Sequence, residues 1–157
     1  MANNCWNTIT FSGNDLTAIK QIIKETTETD EGYLPSFVDI SDLSYPKYLF
    51  DVYVLYEDGP IITINCWTKW SPPTEELIQI CRHLKINCSC LYEELGMGIF
   101  GRMEYDCTTD TANDIFLSEE EISSVNYDDD TGLYSYDGEL YESDTEIYSE
   151  MLENKTF

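Results

Sequence analysis

Apolar and polar positions alternate over residues 5–12, with Cys5, Asn7, Ile9 and Phe11 on one side and Trp6, Thr8 and Thr10 on the other. That period of two predicts a strand. Gly13 breaks it. Asn14 then reads as a helix N-cap, with Asp15 in the first turn and Lys20 and Lys24 toward the end, where the helix dipole favours cations. Leu16, Ile19, Ile22 and Ile23 form the apolar stripe of a helix expected to end near Thr26. Residues 27–47 lose all periodicity, and Gly32, Pro35 and Pro46 punctuate them as a loop. Over residues 48–57, Phe50, Val52, Val54 and Tyr56 alternate with Asp51, Tyr53 and Leu55. Asp58-Gly59 is a hairpin signal, and the β-branched, aromatic run 61–70 is its partner strand. A second helix is expected from Ser71-Pro72-Pro73, with Ser71 as cap and Pro72 at the first helical position. Its stripe is Leu77, Ile80, Cys81 and Leu84. Residues 86–93 and 99–107 read as strands, joined by a turn at Gly96 and Gly98.

The predicted order is β-α-β-β-α-β plus one extra strand. This is the split βαβ pattern of ferredoxin-like folds, an α+β class in which two helices cover one face of an antiparallel sheet. Beyond residue 107 the signals change. Ser118-Glu119-Glu120-Glu121 and Ser143-Asp144-Thr145-Glu146 each have capping-box spacing, the second opening a short helix with Ile147, Met151 and Leu152. Residues 134–141 read as a hairpin turning at Asp137-Gly138. The expected division is a ferredoxin-like domain over 1–107 and an acidic, tyrosine-rich extension over 108–157, made of a hairpin and short helices and packed on it.

Charge sharpens that division. The chain has 31 acidic and eight basic residues, a formal net charge of −23. From Glu104 onward 17 Asp or Glu face one cation, Lys155. Such a field repels nucleic acid and anionic membrane and attracts basic protein surfaces. Tyr127, Tyr134, Tyr136, Tyr141 and Tyr148 lie among those acids, whereas disordered segments are aromatic-poor, so a folded extension is expected. The first residues have no cationic region or apolar run, and no stretch approaches the ~18 apolar residues of a membrane span. The expectation is a cytoplasmic protein without membrane attachment, its six cysteines reduced.

Three blocks carry a family resemblance. They are residues 3–13, opening Asn3-Asn4-Cys5-Trp6, then Thr68-Lys69-Trp70-Ser71-Pro72-Pro73, and then residues 92–101, from Tyr92 through Gly96-Met97-Gly98 to Gly101. In this order they resemble the YubB-type ferredoxin-like domain, a family of plasmids and phages. The resemblance covers roughly residues 1–107, departs at Asn4-Cys5-Trp6, where the family more often runs Trp before Cys, and leaves the extension unmatched. It implies the fold and supplies no catalytic residue.

The chemistry-bearing residues do not assemble a reaction. Cys88 and Cys90, two apart on a strand, share a side, and Cys81 and His83 precede them. A zinc knuckle is missing, Cys81 sits on an apolar stripe, and free cysteine is commonly buried, so structural thiols are expected, with no metal and no cofactor. His83, the sole histidine, falls at a helix end, where a cation is favoured on structural grounds. Asp128-Asp129-Asp130-Thr131-Gly132 suggests a calcium loop, but an EF-hand frame would put Tyr127 first and Gly138 last, where carboxylates are required. Trp6, Trp67, Trp70 and Tyr53 could form a base-stacking surface, yet few cations flank them, and packing on the sheet is the expected role.

The function expected is a non-enzymatic interaction protein of a phage or mobile element. It would bind a basic groove of a host nucleic-acid enzyme by nucleic-acid mimicry, as an inhibitor of anti-restriction or anti-CRISPR type. Carboxylates two apart on a strand lie roughly 6.8 Å apart and those four apart on a helix roughly 6 Å, against a phosphate about every 3.4 Å along a duplex strand, so an acid-studded surface of several elements can offer comparable charge density. The partner-binding residues expected are Asp128, Asp129, Asp130, Tyr134, Tyr136, Asp137, Glu139, Glu142, Asp144 and Glu146. Two other readings stand beside it: a small enzyme or metal-binding domain using Cys88 and Cys90, and a self-associating structural or regulatory module.

Overall fold

The computed structural model describes residues 3–27 and 49–155. The elements are β1 (Asn4–Ser12), α1 (Thr17–Thr27), β2 (Phe50–Asp58), β3 (Ile61–Lys69), α2 (Thr74–Leu84), β4 (Asn87–Glu94), a 3-10 turn at Leu95–Met97, β5 (Ile99–Asp106), β6 (Thr111–Phe116), α3 (Glu119–Ser123), β7 (Asn126–Asp128), β8 (Leu133–Tyr136), β9 (Glu139–Tyr141) and α4 (Asp144–Glu153). β1 to β6 form one antiparallel sheet in the order β2-β3-β1-β4-β5-β6, and β7-β8-β9 form a small second sheet. The β2-β3-β1-β4 part is the ferredoxin-like order, with α1 and α2 on one face. Two strands, not one, extend it past β4. β6 carries the polar run Thr111-Ala112-Asn113-Asp114, exposed at every position, and so shows no hydrophobic period in sequence.

The alternation of β1 holds. Cys5, Asn7, Ile9 and Phe11 are buried under the helices, while Trp6, Thr8 and Thr10 stand half-buried on the opposite face. Leu16, Ile19, Ile22 and Ile23 of α1 and Leu77, Ile80 and Cys81 of α2 close over them in one core with Ile62, Ile64, Cys88, Cys90 and Tyr92. In that core Asn7 donates to Thr68 Oγ1 (2.9 Å) and to the Cys5 carbonyl (2.9 Å), so its buried amide is satisfied.

Both helices start later than their sequence signals. Asn14 is not the cap of α1; the Asp15 carboxylate accepts from Thr17 N–H (2.9 Å), and Leu16 supplies the carbonyl to Lys20 N–H. Ser71 does not cap α2 and Pro72 is not its first residue. The proline at 73 keeps the residue before it out of the helical region, so Pro73 becomes the N-cap, without a side-chain bond. Ser71 instead belongs to a tight turn after β3, where Trp70 has φ of 72° and the Ser71 carbonyl accepts from Thr68 Oγ1 (2.9 Å). The simple alternation expected over β2 is interrupted by register shifts between Phe50 and Tyr53 and between Val54 and Tyr56. The loop expected over 27–47 lies outside the described residues, save Thr27 at the end of α1.

One glycine is required for packing. Tyr92 on β4 lies across Gly101 on β5, and its hydroxyl donates to Asp114 on β6 (2.6 Å). A Cβ at Gly101 would collide with the Tyr92 ring and the Ile115 carbonyl. The phenol thereby ties the edge strand to β4 over the gap that glycine leaves.

Candidate interaction surface

The extension is held to the sheet face opposite the helices by a second, smaller core. Phe100 and Leu117 pack there with Ile147, Tyr148, Met151 and Leu152 of α4, flanked by Leu91, Ile122, Val125, Tyr134, Tyr136 and Tyr141. Phe100 projects from β5 away from α1 and α2 and meets Tyr148 with ring centroids 5.3 Å apart. The capping box expected at 118–121 is complete: Ser118 accepts from Glu121 N–H (3.2 Å) and Glu121 accepts from Ser118 N–H (2.7 Å). At α4 Ser143 caps through Thr145 N–H (3.2 Å). Lys155 donates to Glu121 (2.7 Å) and to the Phe116 carbonyl (2.9 Å), stapling the end of the described chain to β6. That cation and the Ser118 amide hold the Glu121 carboxyl below its ordinary range.

Most acids of the extension are exposed, whereas Glu121 and Asp144 are half-buried. Asp128, Asp129 and Asp130 form the exposed turn between β7 and β8, where Asp128 accepts from Asp130 N–H (2.9 Å) and Gly132, with φ of 72°, closes the loop onto the Asp128 carbonyl. The Asp130 amide, with help from Thr131, keeps the Asp128 carboxyl below its usual range. Asp137 and Gly138, at φ of 48° and 85°, make the hairpin turn expected, with Glu139 beside them. The ten expected contact residues do not share one patch. Antiparallel pairing puts the Asp128–Asp130 turn at the same end of the small sheet as Glu142, which follows β9, while Asp144 and Glu146 lie in the first turn of α4. Asp137 and Glu139 lie at the other end, a strand length of about 13 Å away. Tyr134 and Tyr136 are half-buried against the second core, so part of each ring anchors the extension. Tyr134 also stacks near Tyr127, with centroids 4.9 Å apart. The Tyr141 hydroxyl lies between Glu139 (3.3 Å) and Glu150 (3.1 Å), and desolvation together with those two charges pushes it up to about 12.

Where the extension stops, the described residues leave the same sheet face open, and the sequence pattern gave its aromatics no geometry. Cross-strand pairing sets Trp6 against Trp67, with ring centroids 4.5 Å apart and edge to face, and Tyr53 lies 6.1 Å from Trp6. Below them Thr8 donates to Asn65 Oδ1 (2.8 Å) and Asn65 donates to the Tyr53 hydroxyl (3.1 Å). Further along, a shallow groove of about 500 Å³ is lined by polar side chains including Thr10, Ser89, Glu104, Asp106 and Asn113.

The thiols lie inside. Cys5, Cys66, Cys81, Cys88 and Cys90 are buried and free, and Cys107 is half-buried. Cys88 and Cys90 do share a side, facing the helices. A hydrogen bond with Cys88, then burial, pushes the Cys81 thiol up, and burial pushes Cys90 well up, which disfavours the nucleophilic thiolate. His83 is exposed at the end of α2. Among the described residues no helix is long and apolar enough to cross a membrane.

A family model for the ferredoxin-like domain in Api92-like protein matches residues 49–137, from the start of β2 through β8. The chain belongs to this family. The match bears out the ferredoxin-like fold expected from the element order, and it runs on past β6 into the small sheet. No curated protein and no solved structure matches the chain.

Proposed function

We propose that this is a non-enzymatic binding protein whose acidic extension occupies a basic, nucleic-acid-binding groove of another protein. One observation carries the reading. The extension presents exposed carboxylates at Asp128, Asp129, Asp130, Asp137, Glu139, Glu142 and Glu146, while its single cation, Lys155, is already engaged by Glu121. Its hairpins and α4 rest on a hydrophobic core of their own, so the charges come on a preformed scaffold and lose little conformational freedom on binding. The plasmid and phage setting that the resemblance implies makes a host nuclease the natural target. The burial of Cys88 and Cys90, with the Cys90 thiol held well above its ordinary range, favours this reading over a cysteine- or metal-based one.

The test is competition. A partner captured from host lysate should bind either this protein or DNA or RNA, while this protein binds neither nucleic acid at physiological salt. Replacing Asp128, Asp129 and Asp130 together by Asn should weaken the complex with the fold intact. A ternary complex with nucleic acid, or unchanged affinity of the triple variant, would refute the reading.

A further inference from the structure

Among the described residues, the open part of this sheet face ends where the extension begins, on β4 and β5. Trp6 on β1 pairs across to Glu93 on β4, Glu93 pairs in turn with Phe100 on β5, and Phe100 meets Tyr148 of α4, so Glu93 stands beside the helix that Asp144 opens and the two charges oppose each other. On its other side Trp6 continues into Trp67 on β3 and Tyr53 on β2. We infer that this row, Tyr53, Trp67 and Trp6, closed at one end by Glu93 and Asp144, seats an arginine- or lysine-bearing segment of the basic partner. The inference rests on the reading above of the protein as an acid-surfaced binder, and it names where that partner is gripped.

Aromatic faces attract cations through their quadrupoles, and a guanidinium both stacks on a ring and forks onto a carboxylate. The row crosses three adjacent strands, about 10 Å, which is the reach of roughly three extended residues. Tyr53 is 45% exposed and Trp6 and Trp67 are half-buried, so the rings are reachable yet fixed by their neighbours. The carboxyl of Glu93 is held above its ordinary range, first by burial and then by the charge of Asp144; an incoming cation relieves the repulsion and, by favouring the charged form, offsets the burial. Lys69, further along β3, makes no ion pair with either carboxylate. Nucleic acid is disfavoured, because the carboxylates repel phosphate. A second copy is disfavoured too, because each chain carries a net charge of −23.

Two of the three tryptophans, Trp6 and Trp67, lie on the row and none lies in the extension; Trp70, after β3, is exposed, so indole emission is read in a Trp70→Phe background, where it reports the row. The probe is a six-residue arginine peptide titrated into the full chain. Saturable emission change is expected. Trp6→Leu, Tyr53→Leu and Glu93→Gln should each weaken binding by roughly threefold or more, with unchanged far-ultraviolet circular dichroism. The Asp128, Asp129, Asp130 triple Asn variant should bind more weakly but keep the emission change. Peptide binding without emission change, and with Trp6→Leu and Tyr53→Leu at wild-type affinity, would overturn the inference and leave the charge reading standing. No peptide binding at all would overturn both. The same emission change from a single-stranded oligonucleotide would make the row a base-stacking surface and overturn the inference.

Discussion

The two faces of the sheet are built by different rules. Under α1 and α2 the core is continuous, drawn from strands whose inward positions are mostly apolar, and the buried Asn7 amide is satisfied inside it. On the opposite face the described residues leave part of the surface open, and the rest is covered by an extension that touches the sheet through few side chains, Phe100 and Leu91 chief among them. The first face makes the domain. The second places charge on it. A fold that needs only one face for stability leaves the other free to carry a surface, and here that surface is acid with an aromatic border.

The sharpest way to break this comparison is to remove the side chain on which the extension rests. Phe100 is fully buried, and Phe100→Ala should cost about 3–5 kcal/mol, measured by denaturant unfolding. If the second core is a separate mount, the loss should appear first as hydrogen exchange in residues 119–153, with β1, β3 and α1 still protected. Uniform loss of protection would make the two cores one cooperative unit. A milder probe is Ser118→Ala, which opens the capping box of α3 and should cost about 1 kcal/mol. Its effect should be confined to the extension.

How legible each face was follows from the same difference. β1, β3 and β4 announced themselves because burial on one side imposes a period of two, and α1 and α2 because Leu16, Ile19, Ile22, Ile23 and Leu77, Ile80, Cys81 repeat at helical spacing. Turn chemistry was equally local: Asp58-Gly59, Asp137-Gly138 and the Ser118 capping box need only adjacent residues. β6 was invisible because an exposed edge strand carries no burial pattern, and β7 because three exposed residues carry none either. The second core was legible only in part, at Ile147, Met151 and Leu152, since its other members come singly from separate segments. The aromatic row was named residue by residue but not placed, because the register of β1 with β3 and the bulges of β2 decide which rings meet.

A smaller effect tests the edge on which the extension leans. Although Asp114 is exposed as a residue, partial desolvation of its carboxyl beside Tyr92 holds it above its ordinary range, and the hydrogen bond from the Tyr92 hydroxyl partly offsets this. Between the ordinary value near 4 and the raised one, the folded state keeps a proton that the unfolded state has released, so stability falls as pH rises through that window and is level above it. Asp114→Asn keeps an oxygen acceptor for Tyr92 and should remove this slope, as read by thermal unfolding from pH 3 to 7. An unchanged slope would place the titrating group elsewhere, Glu93 being the other carboxyl raised by burial on β4.

The claim that the extension's charge serves binding is tested most directly by kinetics. The association rate with a captured basic partner should be followed over a tenfold range of salt around the physiological Debye length of about 8 Å. Electrostatic steering acts on encounter, so association should slow steeply as salt rises while dissociation changes little, and the Asp128, Asp129, Asp130 triple Asn variant should show a shallower slope. An association rate flat across that range would contradict the account and leave the acidity as a device for solubility.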